Sequence, residues 1–197
     1  KKFNLKISSL IIRRSSISYN QLDEPVLNKF SFKHLDIKNI SAHVILNKLT
    51  NDSINVNIKK IALKEKSGLV IKKLSLKLDA GKTKANLTDM HLSLLNSDIS
   101  VPNASANYVL KDKKLVPKTL RYNLKLDKSI VTLYDFAFFY NIFKNYKTPI
   151  NLSFSCHGTD KNANISKLAL RQDQDVDLSG GALILKKDTV WGANVTL

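Results

Sequence analysis

One apolar spacing, repeated three times between Ile54 and Leu95, limits what this chain can fold into more than any other feature. Val56, Ile58, Ile61 and Leu63 form the first copy, Leu69, Ile71, Leu74 and Leu76 the second, and Ala85, Leu87, Met90 and Leu92 the third. Each reads apolar-x-apolar, two polar residues, then apolar-x-apolar. On a helix these offsets scatter around the circumference, whereas on a strand each half alternates and the two halves differ by one residue in phase. One extra residue held as a β-bulge returns both halves to one face and bends the strand where it sits. The slips fall at Lys59-Lys60, Lys72-Lys73 and Thr88-Asp89. Paired with their slips aligned, such strands crease the sheet and curl it around its apolar side. The expected class is therefore mainly β, a curled and mostly antiparallel sheet forming an elongated apolar groove.

The same signature recurs along the chain. Phe3, Leu5 and Ile7 alternate, and Leu10 and Ile12 continue out of phase across Ser8-Ser9, with Ile17 and Tyr19 beyond. Phe30 and Phe32 open a second run, in which Leu35, Ile37, Ile40 and Ala42 slip around Lys38-Asn39, and Val44 and Leu46 complete it. Ala163, Ile165, Leu168 and Leu170 slip at Ser166-Lys167. Ser97 to Val101 precedes Pro102; Leu120 to Leu126 and Ile150 to Cys156 alternate simply, and Val176 to Leu185 and Val190 to Leu197 close the chain. The polar stretches at 21–25, 47–53, 66–68 and 79–84 read as turns, and the basic stretch Lys111 to Lys118 as a loop. This gives ten or eleven strands, joined by short turns and so mostly antiparallel.

Thr132 to Tyr146 breaks the pattern. Leu133, Phe136, Phe139, Tyr140, Phe143 and Tyr146 recur at intervals of three and four, which predicts one short amphipathic helix over 132–146. Thr132 ahead of Asp135 suits its start, and Lys144, Lys147 and Pro149 its end. Phe136, Phe139, Tyr140 and Phe143 are the expected plug, packed into the apolar trough; membrane docking and partner contact are the other uses of such a face.

At 197 residues and 43% hydrophobic, the chain reads as a single domain, 1–197. Its formal charge of +16 suits an anionic partner, yet lysine is spread over turns and outward strand positions, which reads as a solvated exterior protecting strand edges. Nucleic acid is not an expected partner, and a monomer is expected. The one cysteine, Cys156, excludes an internal disulfide. No signal peptide and no apolar run long enough to cross a bilayer is visible. The chain opens on Lys1-Lys2-Phe3 already in a strand pattern and stops at Asn194 to Leu197 in another, so the expectation is a segment excised from a longer protein.

Chemistry-bearing patterns are sparse. His34, His43, His91 and His157 have no compact ligand spacing, and no metal or cofactor is expected. Cys156 and His157 should point to opposite faces of one strand. Asp89, His91 and Ser93 name the members of a hydrolase triad, but a flat strand face offers neither oxyanion donors nor a pocket. Asp173, Asp175 and Asp177 open like a calcium loop, but Leu178 stands where glycine is needed and Ile184 where glutamate is needed. Gly180-Gly181 has no phosphate-loop context. The chain is not expected to be an enzyme.

Three stretches, Leu5 to Tyr19 (LKISSLIIRRSSISY), Phe32 to Ile40 (FKHLDIKNI) and Ile61 to Ile71 (IALKEKSGLVI), resemble the TamB (translocation and assembly module) family in its Bacteroidetes-type form. Leu94 to Ile99, Asp135 to Gly158 and Ile165 to Leu170 are similar to later parts of the same region, and Glu65 to Gly68 is the most distinctive match. The resemblance implies a segment of an AsmA-like β-groove protein, anchored in the inner membrane and crossing the periplasm of a Gram-negative envelope. It implies phospholipid transfer, a role in outer-membrane biogenesis and protein secretion and assembly, and an Omp85-type barrel partner reached through parts not present here. It supplies no catalytic residues; only groove-facing positions carry over, and these are the repeat residues named above from Leu5 to Leu170.

A physical argument stands beside the resemblance. Ten or so strands at about 4.8 Å extend roughly 50 Å, and a fifteen-residue helix of about 22 Å cannot cover that length. Acyl chains would fit the remainder, each buried methylene contributing about 0.8 kcal/mol. The competing expectations are a β-solenoid or scaffold segment filled by its own side chains, serving as spacer or docking surface for an outer-membrane assembly partner, and a binder of anionic polymers.

Overall fold

The computed structural model describes residues 3–25, 30–187 and 190–197, so Lys1-Lys2 of the opening strand pattern lie outside the described residues. The strands are β1 (Asn4–Asn20), β2 (His34–Thr50), β3 (Ile54–Glu65), β4 (Val70–Ala80), β5 (Lys84–Ser93), β6 (Asp98–Asn107), β7 (Leu110–Lys111), β8 (Lys114–Leu115), β9 (Arg121–Val131), β10 (Ile150–Thr159), β11 (Asn162–Gln172), β12 (Val176–Lys187) and β13 (Val190–Thr196). All but β7 and β8 belong to one antiparallel sheet of eleven strands in chain order, with β1 and β13 as its free edges. Strand follows neighbour through short turns, as alternating segments separated by polar punctuation require. The small β7–β8 hairpin occupies the basic stretch read as a loop.

The expected slips are present as register shifts. Between β3 and β4, Ile58 faces Leu76 and Ile61 faces Leu74, so the extra residue lies at Lys59-Lys60; Leu63 then faces Ile71, which puts another at Lys72-Lys73. Ser75 faces His91 but Lys77 faces Thr88, an extra residue at Asp89. Shifts also separate Ile7 from Leu10 and Ile165 from Leu168, the Ser8-Ser9 and Ser166-Lys167 positions. Arg14, Asn39, Asp89, Lys128 and Lys167 adopt positive φ of 43–55° within their strands. A bulge can demand that left-handed conformation, normally supplied by glycine. Strand β6 runs through Pro102, which sits between Val101 and Asn103 where they flank the Asp89 bulge of β5. There the missing N–H is tolerated, which the sequence pattern alone, ending a strand at Val101, did not anticipate.

No helix forms over 132–146. Leu133–Phe136 and Asn141–Asn145 are separate 3-10 turns, and the segment doubles back so that Tyr134 N–H donates to the Tyr146 carbonyl at 2.9 Å. Phe, Tyr and Asn are weak helix formers, and one turn of 3-10 structure satisfies the same three-residue aromatic spacing. Likewise Phe30 and Phe32 precede β2 rather than opening it.

Nothing else in the described residues forms a second layer against the sheet. Four apolar side chains among them are buried, Val56, Leu94, Val101 and Leu126. The total accessible surface is 13686 Å². A compact monomer of 22.2 kDa would expose about 9,400 Å². A single-layer sheet, with no second layer among the described residues, exposes more surface than a compact fold of that mass.

Candidate binding face

In an antiparallel pair, directly opposed residues project from the same side of the sheet. Followed strand by strand, one row of opposed residues crosses all eleven strands: Ile7, Leu46, Val56, Leu78, Leu87, Ala104, Leu124, Cys156, Ile165, Ala182 and Val195. A second does the same: Leu5, Leu49, Ile54, Ala80, Ala85, Ala106, Tyr122, Gly158, Ala163, Ile184 and Ala193. Neither row contains a charged residue. Beyond the bulges, Ile12, Ala42, Ile61, Leu74, Leu92 and Ile99 make a third row from β1 to β6. The extra residue in each bulged strand is what keeps Ile58 and Ile61, or Ile165 and Leu168, on one side.

The intervening positions are polar. Asp79 faces Asn86, Asn86 faces Ser105, and Ser105 faces Asn123, which faces His157. Exposed ion pairs decorate this side, Lys77 with Asp89 at 2.8 Å and Arg171 with Asp177 at 2.7 Å. Such pairs contribute little stability and mainly keep the side wetted.

Every predicted lining residue except Leu69 lies in a strand; Leu69 sits in the β3–β4 turn, its carbonyl accepting from Glu65 N–H at 2.8 Å. Leu35, Ile37 and Ile40 of β2 face Tyr19, Ile17 and Ser15 of β1, and Met90 faces Val101. Leu170 lies between Leu152 and Leu178, and Leu168 opposite Gly180. On the edge strand, Leu5 and Leu10 are exposed, while Ile58, Ile71 and Leu87 in the middle are half-buried. Sequence reading placed Ala85 and Ala163 in the repeats but passed over Ala80, Ala106 and Ala193 of the second row. It also left out Leu78, whose signal was the unbroken alternation Leu74, Leu76, Leu78.

Gly158 has a packing reason in that second row. A Cβ there would come within 2.2 Å of the Asn162 carbonyl oxygen and 2.8 Å of the Tyr122 hydroxyl. The Tyr122 side chain occupies that space and donates to the Asn162 carbonyl at 3.2 Å. Burial pushes the Cys156 thiol up from its usual range, against an opposing pull from the Tyr122 hydroxyl, and burial raises Tyr122 as well. Cys156 is thus an apolar row member, with His157 on the other side of the sheet, facing Asn123 and Asn164.

At one end of the strands, the aromatic segment leans over neighbouring turns instead of plugging the sheet face. Asp135 is buried and clamps the β5–β6 turn: Asn96 donates to it through its backbone N–H and its Nδ2, each at 2.8 Å. Thr132 N–H donates to Ser97 Oγ at 2.9 Å. Farther along, Phe30 N–H donates to the Phe138 carbonyl at 3.4 Å, and the Phe30 ring packs edge-on against Phe138 and Phe139. Of the expected plug, Phe136 and Phe143 are half-buried, but Phe139 is 49% and Tyr140 64% exposed. A cavity of about 930 Å³ opens beside the segment, bounded by Ser67 and Gly68, Leu95 and residues of 134–147.

The other chemical candidates are dispersed. Asp89 pairs with Lys77, and His91 with Asp98 at 2.6 Å, so no triad forms with Ser93. Asp173 and Asp175 lie in the β11–β12 turn while Asp177 pairs with Arg171. Among the described residues no cluster of acids, histidines or cysteine could hold a metal ion. No helix among the described residues is long and apolar enough to cross a membrane. Compared with protein-family models, curated proteins and solved structures, the chain matches none.

Proposed function

We propose that this chain is a segment of a groove-type envelope protein that shields phospholipid acyl chains during transfer between inner and outer membranes and so supports outer-membrane biogenesis. The observation that carries the reading is the pair of uncharged rows crossing eleven strands with no layer set against them among the described residues. Apolar surface of that extent is costly in water, and soluble proteins leave large patches uncovered where something binds. An acyl chain laid across the strands meets side chains without hydrogen-bonding demands, so it gains about 0.8 kcal/mol for each methylene removed from water without being fixed in one place. Aligned bulges curl the face into a groove, with headgroups at its wet opening.

The resemblance to TamB supports the same reading, and with it a periplasmic setting in an inner-membrane-anchored protein and an Omp85-type barrel partner engaged by other parts. The segment carries no catalysis in this account. Native mass spectrometry of the purified 197-residue chain tests it: phospholipid-sized adducts that are removed by organic solvent are expected. A bare mass, with no uptake after incubation with phospholipid vesicles, would refute it.

The half-burial of Ile58, Ile71 and Leu87 favours one competitor, a scaffold segment whose face is satisfied by its own neighbours. A charged substitution at any of the three separates the two. The scaffold unfolds, whereas the conduit retains its strand signal and loses lipid.

A further inference from the structure

The cavity beside the aromatic segment belongs to neither row, and its composition differs from theirs. Phe138, Phe139, Tyr140 and Ile142 supply apolar surface, the last three of them exposed, and Lys144 and Lys147 supply positive charge. The carboxylate of Asp135 also borders it, but both oxygens are taken by Asn96. Asn96 is neutral, so Asp135 keeps its charge, and against the two lysines the lining is net positive. Lys147 Nζ stands 5.4 Å from the centre of the Tyr134 ring, which holds one cation at the cavity wall. About 930 Å³ lies within the range of small-ligand sites, which are apolar with a few placed polar groups.

We infer that this cavity seats the anionic phosphate head of an acyl-chain ligand, with Lys144 and Lys147 facing the phosphate and Phe138, Phe139 and Tyr140 holding the first methylenes. The inference rests on the lipid-groove reading and assigns it a headgroup preference and a place of entry. The Asp135–Asn96 clamp fixes the aromatic segment above the β5–β6 turn, so the site is built by the fold rather than by a free loop. Lys144 and Lys147 are exposed and border the same cavity, and two ammonium groups that reach one phosphate hold it more strongly than either alone.

Binding of lysophosphatidylglycerol and lysophosphatidylcholine with the same acyl chain, measured by calorimetry at about 0.15 M salt, tests this. The wild-type chain should favour the anionic probe by about tenfold. Lys144→Gln with Lys147→Gln should abolish that preference and leave the zwitterionic probe bound as before. Lys113→Gln with Lys114→Gln removes the same charge from the opposite strand ends and should leave the preference intact. An unchanged preference in the first variant, or an equal loss in both, would overturn the site while leaving the groove standing. Tight binding of glycerol 3-phosphate alone, lost in the first variant, would make it a phosphate site and not a lipid one. Failure of the chain to bind either lysolipid overturns the groove reading and this site together.

Discussion

The two sides of the sheet are built from the same strands and differ by one residue in phase, yet they face different problems. On one, Asn86, Ser105, Asn123 and His157 follow one another from strand to strand, and ion pairs such as Lys77–Asp89 keep the surface wet. On the other, the neighbouring positions Leu87, Ala104, Leu124 and Cys156 form an uncharged row with no covering layer among the described residues. The polar side is complete as it stands. The other side has no covering layer among the described residues, and the bulges keep its apolar positions together across a change of strand phase.

Removing a bulge should break this contrast most severely. Deleting Lys167, the extra residue of β11 with φ of 52°, either throws Leu168 and Leu170 to the polar side or forces β11 out of register with β10 and β12. The expected cost is about 4 kcal/mol or more, read as loss of a cooperative denaturant transition. A deletion variant as stable as the wild type would show that phase is not what the bulge maintains.

Adjacent substitutions sharpen the comparison next. Leu87→Asp should cost about 2–3 kcal/mol and abolish lipid retention, because it sets an unpaired charge in the middle of the long row. Asn86→Asp, one residue away on the other side, should stay within about 0.5 kcal/mol and retain lipid. Equal effects would mean that the sides are equivalent.

Cysteine reactivity gives a milder contrast. The Cys156 thiol, its pKa raised by burial, stays protonated at mildly alkaline pH where an ordinary thiol has begun to ionise, so iodoacetamide should label it slowly at pH 8.5. In Cys156→Ser with His157→Cys, the thiol moves to the polar side and should label several-fold faster. Acyl ligand should slow the first reaction and leave the second alone.

The smallest expected effect is a gain. Lys167→Gly removes a side chain from a left-handed position that disfavours it and should raise stability by about 0.5–1 kcal/mol. A loss would place the Lys167 side chain in a contact that the strand geometry does not reveal.

The slips were legible because a bulge leaves a local trace, two polar residues between two alternating pairs. Lys59-Lys60 and Ser166-Lys167 could be placed without knowing any partner strand. The aromatic segment was not legible in the same way. Its three- and four-residue spacing fits an α-helix and a pair of 3-10 turns alike, and the choice rests on contacts distant in sequence, Asn96 with Asp135 and Phe30 with Phe138. The second row was hidden for another reason. Ala80, Ala106 and Gly158 join Ala85, Tyr122 and Ala163 in one strip only once register aligns them. Nor could spacing reveal the cavity beside Lys144 and Lys147, which depends on turns from three separate connections.

The most direct measurement of the central claim is photocrosslinking of the 197-residue chain with a phospholipid carrying a diazirine in its acyl tail, followed by mapping of the labelled peptides. Labels are expected at row positions on several strands, such as Leu78, Leu87, Leu124 and Ile165, and not at their polar neighbours Asp79, Asn86, Lys125 and Asn164. Labels spread equally over both sides of the sheet, or confined to its two edge strands, would contradict a continuous acyl path.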